Sequence, residues 1–168
     1  MQMKSGSLKF RGDITITVTS RLTNRVLQRL EVRNKIVQVG LNAFPYFLSQ
    51  REDEPNGANY ETTNMRLAHL RVGTGDTPAA KTNTALVTHV PAFDVALTSA
   101  NFSPEETDEG TLVIRATLPA QTGATSYRLS EAGLFLANGW LFARQAHSPI
   151  DTAPGLQLDY AWTLSFMA

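Results

Sequence analysis

Residues 156–166, LQLDYAWTLSF, carry the longest alternation of apolar and polar side chains in the chain. The large apolar residues are all even-numbered, with polar or small residues between them: Leu156, Leu158, Tyr160, Trp162, Leu164 and Phe166. Successive side chains of a β-strand point to opposite faces of a sheet, so this pattern predicts a strand with one buried face. Because the alternation is long and regular, we expect this strand to be built into a sheet.

The N-terminal part repeats the pattern over residues 8–18, with threonines between the apolar positions. The turn-forming pair Thr23-Asn24 follows, and apolar residues then return on even positions, which favours a hairpin; they are Val26, Leu30 and Val32. A helix over the same residues is the alternative, because four apolar residues also fit one helical face: Leu22, Val26, Leu27 and Leu30.

The second half of the chain contains further short apolar stretches, separated by turn residues. The predicted strands are residues 66–72, 85–90, 93–97 and 112–118. The dipeptide Asn138-Gly139 lies between two apolar runs, residues 134–137 and 140–143. Asn-Gly adopts the backbone of a tight hairpin turn readily, so these two runs are predicted to pair as antiparallel strands.

One stretch has the period of an α-helix. Four apolar residues fall on one helical stripe: Val37, Leu41, Phe44 and Leu48. Asn34 is a candidate N-cap for this helix, and Pro45 is expected to kink it or to end its regular part. The polar residues 51–64 that follow are rich in turn formers and are expected to form a long, mobile surface loop.

We therefore predict a mainly β chain, a β-sandwich of about eight strands with one α-helix in its N-terminal half. Residues 1–29 are assigned to an N-terminal arm or hairpin, and residues 30–168 to the β-sandwich domain with its helix. Two fates remain open for residues 1–20, because a terminal strand can complete its own sheet or pair with the edge of a neighbouring subunit.

Composition narrows the classes of function. The chain has 168 residues, 15 basic and 15 acidic residues and no cysteine. Zero net charge argues against a nucleic-acid partner, because affinity for phosphates comes from an excess of lysine and arginine. The absence of cysteine excludes disulfides and thiolate metal sites. We expect no membrane partner either, because the apolar runs are far shorter than the roughly 20 residues that cross a bilayer.

No motif for catalysis, a metal or a cofactor stands out. His69, His89 and His147 lie far apart in the sequence without the spacing that points two imidazoles at one metal. The Gly73-Thr74-Gly75 turn lacks the lysine and hydroxyl residue of a phosphate loop. The acidic residues near 105–109 have no apolar cover that would raise a carboxyl pKa for general-acid catalysis. The chain is therefore predicted not to be an enzyme.

Glu131 differs from the other acidic residues, since apolar and small residues follow it directly at 132–136. A charge at such a position is either catalytic or paired for structural reasons. We expect the second role, with Arg128 or Arg144 as the partner.

Three motifs follow one another along the chain. Residues 32–42 read VRNKIVQVGLN, residues 70–79 read LRVGTGDTPA, and residues 130–135 read SEAGLF. Their structural residues, with those of the hairpin turn, are Gly73, Gly75, Glu131, Gly133, Asn138 and Gly139. Together with the closing Trp162-Thr163 strand, this order resembles small structural proteins of tailed bacteriophages and prophages. The SEAGLF segment is also similar to a hairpin in the particle-attached domains of tail-collar fibres.

The resemblance implies a non-catalytic virion protein of the phage tail, made in the host cytoplasm, that joins baseplate or tail parts or anchors fibres. Its expected partners are other virion proteins and further copies of itself, as a trimer or a hexamer. A capsid decoration or head-fibre protein is one alternative. Another is a β-sandwich that binds a host glycan through an exposed aromatic side chain, with Trp140 or Tyr60 as candidates.

Overall fold

The computed structural model describes residues 9–38, 40–41, 65–105 and 110–167. In these residues the chain is mainly β, with nine strands in two antiparallel sheets. The strands are β1 (Lys9–Ser20), β2 (Val26–Ile36), β3 (Leu67–Gly73), β4 (Val95–Ala96), β5 (Phe102–Glu105), β6 (Thr111–Thr117), β7 (Arg128–Leu136), β8 (Leu141–Asp151) and β9 (Leu156–Met167).

The two sheets share one strand. The first sheet has the order β2-β1-β9-β6-β5, and the second has the order β4-β3-β7-β8. β2 joins them, because its last two residues, Lys35 and Ile36, pair with Arg144 and Ala143 of β8. Most of β2 thus belongs to the first sheet, and its end belongs to the second.

The alternation at the C-terminus forms the centre of the first sheet. β9 pairs with β1 over its whole length on one side and with β6 on the other. The even-numbered residues Leu158, Tyr160, Trp162 and Leu164 are all buried. They lie in one apolar cluster with Leu134 of β7 and other residues of the second sheet. The strand predicted from this alternation is confirmed.

The N-terminal residues form the predicted hairpin, so the helical alternative for residues 22–30 is wrong. β1 lies between β2 and β9, and Ile14 and Ile16 are fully buried in the main cluster. The boundary placed after residue 29 falls inside β2. The buried residues of β1 therefore share a core with β7 and β9.

The strand predicted at residues 85–90 is wrong. These residues are irregular apart from one bridge between His89 and Gly73. The backbone N–H groups of Val87 and Thr88 donate to the side chain of Glu131 and not to a neighbouring strand. The alternation over 93–97 is also broken, because Phe93 ends a 3₁₀ turn that starts at Pro91, and only Val95–Ala96 is a strand.

The predicted α-helix is not supported by the described residues. Helical backbone is found at Gln38, Gly40 and Leu41, and the Leu41 N–H donates to the Val37 carbonyl. No helix of seven or more residues occurs in the described part of the chain. Phe44, Pro45, Leu48 and the loop at 51–64 lie outside it. Asn34 caps no helix, because it lies within β2 opposite Gly12.

Residues 74–90, which we call the anchored segment, cover the outer face of the second sheet. Leu86 of this segment packs in a second apolar cluster with Phe135 and Leu141 of the β7–β8 hairpin, and Val37 completes the cluster. β7 is therefore buried on both faces, with Leu134 in the main core and Phe135 under the anchored segment. Among the described residues, no helix has the length and apolar character needed to span a membrane.

Candidate functional site

The motif residues of the sequence meet at a buried ion pair. Glu131 lies on β7 and Arg144 on β8, and the Arg144 Nε atom donates to the Glu131 Oε2 atom at 2.8 Å. Both side chains are fully buried. Arg144 is thus the partner of Glu131, whereas Arg128 is exposed and lies opposite Asp151 in the strand register.

The Glu131 carboxylate also accepts three backbone hydrogen bonds. Oε1 accepts from the N–H groups of Gly75 and Thr88 at 3.1 and 2.8 Å, and Oε2 accepts from the Val87 N–H at 3.0 Å. Hydrogen bonds to an ionised group are roughly twice as strong as neutral ones. One side chain of β7 therefore holds both ends of the anchored segment against the sheet.

Arg144 holds the middle of the same segment. Its Nη1 atom donates to Asn83 Oδ1 at 3.1 Å, and its Nη2 atom donates to the Thr77 carbonyl at 3.0 Å. Asn83 Oδ1 also accepts from the Ala80 N–H at 2.8 Å. We call Glu131, Arg144 and these partners the buried ion-pair cluster.

Glycine is required where the chain passes closest to this cluster. A Cβ atom at Gly73 would lie 2.3 Å from the Thr88 carbonyl oxygen and 2.6 Å from Glu131 Oε1. A Cβ atom at Gly75 would also lie 2.6 Å from Glu131 Oε1. A third glycine of the motifs, Gly133, lies under Leu86 and leaves space for that side chain. The glycines of the motifs thus serve close packing.

The geometry of the buried ion-pair cluster suits a structural role, not a catalytic one. Both carboxylate oxygens of Glu131 are occupied by protein donors, and neither ionised side chain has any exposed surface. A general acid or base must come within hydrogen-bond reach of its substrate. Glu131 and Arg144 have no such access in this arrangement.

The three histidines do not meet. His69 is half-buried in β3, and His89 Nε2 lies 2.6 Å from Asp94 Oδ1. His147 on β8 is buried, and burial lowers its pKa below the ordinary value of 6.5, partly opposed by its bond to the Ser148 carbonyl and by the charge of Glu131. In the described ranges, no three His, Asp or Glu side chains are grouped so that they could hold a metal ion.

An open groove of about 740 Å³ lies beside the cluster, where β2 and β8 diverge beyond their short pairing. Asn34 and His147 line it, and both amide atoms of Asn34 and the Nε2 atom of His147 are buried without a hydrogen-bond partner. The sequence does not mark this site, because the two residues come from strands that are distant in the chain.

The remaining candidates from the sequence lie apart from the cluster. Asn138-Gly139 forms the predicted turn between β7 and β8, with Gly139 at a φ of 86°. Trp140 is half-buried and packs against Met65 and Leu136. Tyr60 and the acidic residues 106–109 lie outside the described residues.

Sequence reasoning found Glu131 and the glycines but missed Asn83, Thr77, Val87 and Thr88. Three of these contribute backbone atoms to the cluster, and every residue type except proline offers a backbone N–H. Comparison of the chain with protein-family models, curated proteins and solved structures gave no match.

Proposed function

We propose that the chain is a structural protein of a tailed-phage virion, located in the tail, baseplate or fibre-attachment region, with its two sheets packed as a β-sandwich. It joins tail parts or anchors fibres by assembling with other virion proteins and with copies of itself, as a trimer or a hexamer. It has no catalytic role in this proposal.

The observation that carries the proposal is the position of the motif residues. Gly73, Gly75 and Glu131, on which the resemblance rests, belong to or border the buried ion-pair cluster, and Gly133 lies opposite Arg144 in the strand register. These residues pack closely or form buried hydrogen bonds. We therefore take the motifs that contain them to have a structural role. The outer face of the first sheet adds support, because its half-buried Thr15, Thr17 and Thr163 can be covered at an interface at a lower desolvation cost than charged residues.

Mass spectrometry of purified particles tests the proposal. Phage particles from a host that carries this gene are purified on a density gradient, and the copies of the chain per particle are counted. We expect several copies in each particle, and gold-labelled antibody against the chain at the tail in electron micrographs. Label on the head would favour the capsid decoration or head-fibre alternative. Absence of the chain from particles, with abundance in the lysate, would overturn the proposal.

A matched pair of variants sharpens this test. Glu131→Ala removes the centre of the buried cluster, whereas Glu31→Ala removes an exposed carboxylate of β2. Particles made with the first variant should lack the chain, and particles made with the second should keep it. Equal incorporation of both variants would contradict a requirement for the cluster in assembly.

A further inference from the structure

We propose that the open groove between β2 and β8 binds a primary carboxamide, carried as an asparagine or glutamine side chain by an extended segment of a partner protein. Asn34 from β2 and His147 from β8 line this groove. The inference goes beyond the proposed function, because it names a ligand chemistry and does not depend on where the chain is located.

Asn34 presents a complete amide to the groove. It lies opposite Gly12 in the strand register, and a Cβ atom at Gly12 would lie 2.5 Å from Asn34 Nδ2. Gly12 alternates with the buried Ile14 and Ile16, so the amide occupies space on the inner side of β1 that the glycine leaves open. Both Oδ1 and Nδ2 are buried without a hydrogen-bond partner in the described part of the chain. Whichever way round the amide lies, it offers one donor group and one acceptor.

His147 presents an acceptor to the same groove. The residue is 8% exposed, and its Nδ1 atom lies 2.9 Å from the Ser148 carbonyl oxygen. A carbonyl oxygen only accepts, so Nδ1 carries the proton. Burial lowers the pKa of His147 below the ordinary value of 6.5, so the ring is neutral near pH 7. Nε2 is then an acceptor, and it too is buried without a partner among the described residues.

The unpaired groups at the groove therefore comprise two acceptors and one donor group. Buried polar groups are normally paired, and a ligand that pairs all three is favoured. A primary carboxamide has two N–H donors and a carbonyl acceptor. One N–H and the carbonyl match the amide of Asn34, and the second N–H matches His147 Nε2. A hydroxyl group donates only once, a carboxylate has no donor, and an ammonium group has no acceptor.

The main chain beside the groove favours a peptide as the carrier. The Val37 N–H donates to the Phe142 carbonyl, and the pairing of β2 with β8 ends two residues further on. Hydrogen-bonded positions alternate along an antiparallel pair, so the next ones would be Arg33 and Ala146. Both line the groove and are not paired with each other. Gln145 donates to the Ala146 carbonyl, which leaves the Ala146 N–H and both main-chain groups of Arg33 for an added strand.

The lining of the groove argues against other classes of ligand. Among the described residues that line it, one is basic, Arg33, and one is acidic, Asp76. The groove therefore has no excess charge to attract a phosphate group. No Phe, Tyr or Trp is among these lining residues, whereas the glycan alternative requires an exposed aromatic side chain. The volume of about 740 Å³ is in the range of ordinary ligand sites.

Peptide binding tests the inference on the unmodified chain. The probes are seven-residue peptides of alternating threonine and alanine, with glutamine, glutamate or methionine at the centre. Their ends carry an acetyl group and an N-methyl amide, so that the central glutamine is the only primary carboxamide. The glutamine peptide should bind at least about tenfold more tightly than the other two, because they leave buried groups unpaired. Nuclear magnetic resonance should show shifts of the Asn34 and His147 side-chain signals.

A matched pair of variants tests the residues of the site. Asn34→Asp replaces the donor group by an acceptor and should weaken binding of the glutamine peptide by at least about tenfold. Asn24→Asp makes the same change at an exposed position between β1 and β2 and should bind like the unmodified chain. Circular dichroism checks that both variants are folded. His147→Phe, which keeps a ring and removes Nε2, should also weaken binding and serves if Asn34→Asp does not fold.

Several results would overturn the inference. Equal binding of the glutamine and methionine peptides would remove the carboxamide, as would unchanged Asn34 and His147 signals at about 1 mM peptide, where a millimolar complex is half formed. Binding of acetamide alone, without the glutamine peptide, would assign the groove to a small molecule. Tighter binding of an N-acetylglucosamine trimer at the same signals would assign it to a glycan. None of these results bears on whether the chain is present in phage particles.

Discussion

Two Arg–Glu pairs of nearly the same length lie in different surroundings in this protein. On β2 of the first sheet, Arg29 Nη2 lies 2.9 Å from Glu31 Oε1, and both side chains are more than 60% exposed. In the second sheet, Arg144 and Glu131 are 2.8 Å apart, and neither is exposed at all. Water solvates the first pair whether or not it forms, but the second pair has only protein atoms around it.

The difference in burial gives the two pairs different roles. An exposed pair contributes about 0–1 kcal/mol, and no other part of the chain depends on it. Removing one partner of a buried pair leaves an uncompensated charge, and here it also releases the hydrogen bonds that hold the anchored segment. The first sheet is held by apolar packing and strand pairing, whereas the outer layer of the second sheet also depends on one buried ionic cluster, beside the packing of Leu86.

The largest effect is expected from the first sheet. Deleting residues 1–20 removes β1 from between β2 and β9, together with the buried Ile14, Ile16 and Val18. We expect the deletion to abolish the cooperative unfolding transition, because both neighbouring strands lose their partner. Circular dichroism during heating measures this. A folded monomer with a sharp melting curve would instead identify β1 as a dispensable arm.

The ion pairs themselves give the next largest effect. Glu131→Ala should lower the free energy of unfolding by about 3–5 kcal/mol, because Arg144 and three backbone N–H groups lose their acceptor. The matched control Glu31→Ala should lower it by at most about 1 kcal/mol. Urea denaturation measures both. Similar losses for the two variants would remove the distinction between the pairs.

A smaller effect should come from the glycines beside the cluster. Gly73→Ala places a methyl group against the Thr88 carbonyl and Glu131, and should lower the free energy of unfolding by about 1–3 kcal/mol. A methyl group at Gly123 would have no neighbouring atom within 4 Å, so Gly123→Ala should change stability by no more than about 0.5 kcal/mol. Thermal denaturation of the two variants is the measurement, and a neutral Gly73→Ala would contradict the close approach.

The smallest effect concerns His147, which borders the groove between the sheets. Its pKa is lowered by burial, so below about pH 6.5 the unfolded chain binds a proton that the folded chain does not. Stability should therefore fall as the pH drops through 6.5 towards the folded pKa, and this contribution should be absent above about pH 7.5. His147→Gln should flatten that part of the profile. Urea denaturation at about pH 5, 6 and 7.5 compares the two chains, and parallel profiles would contradict the prediction.

The strands that alternate over many residues could be predicted from the sequence. β1, β9 and the β7–β8 turn at Asn138-Gly139 were found in this way, because alternation and turn preference depend on neighbouring residues alone. Residues 85–90 show the same apolar character but form no strand. The N–H groups of Val87 and Thr88 bind Glu131, which is more than 40 residues away in the chain. Local patterns contain no information about a partner that distant.

The role of Glu131 was partly visible in the sequence. A carboxylate before an apolar run indicates a paired charge, and two arginines were possible partners. Only the β7–β8 register distinguishes them, since it places Arg144 opposite Gly133 and sends Arg128 to the exposed end of the hairpin. The position of Asn34 could not be predicted from the sequence either, because it depends on where β2 passes from one sheet to the other.

Local side-chain order thus specified the long alternating strands β1 and β9, the hairpin turn and the glycine-rich motifs, since each depends on residues close together in the chain. Folding in three dimensions selected Arg144 as the ion-pair partner and placed residues 74–90 over the second sheet. It also left residues 26–34 of β2 with β1 as their one strand partner among the described residues. These features depend on the register and order of strands from distant parts of the chain, and on backbone groups that nearly every residue type provides.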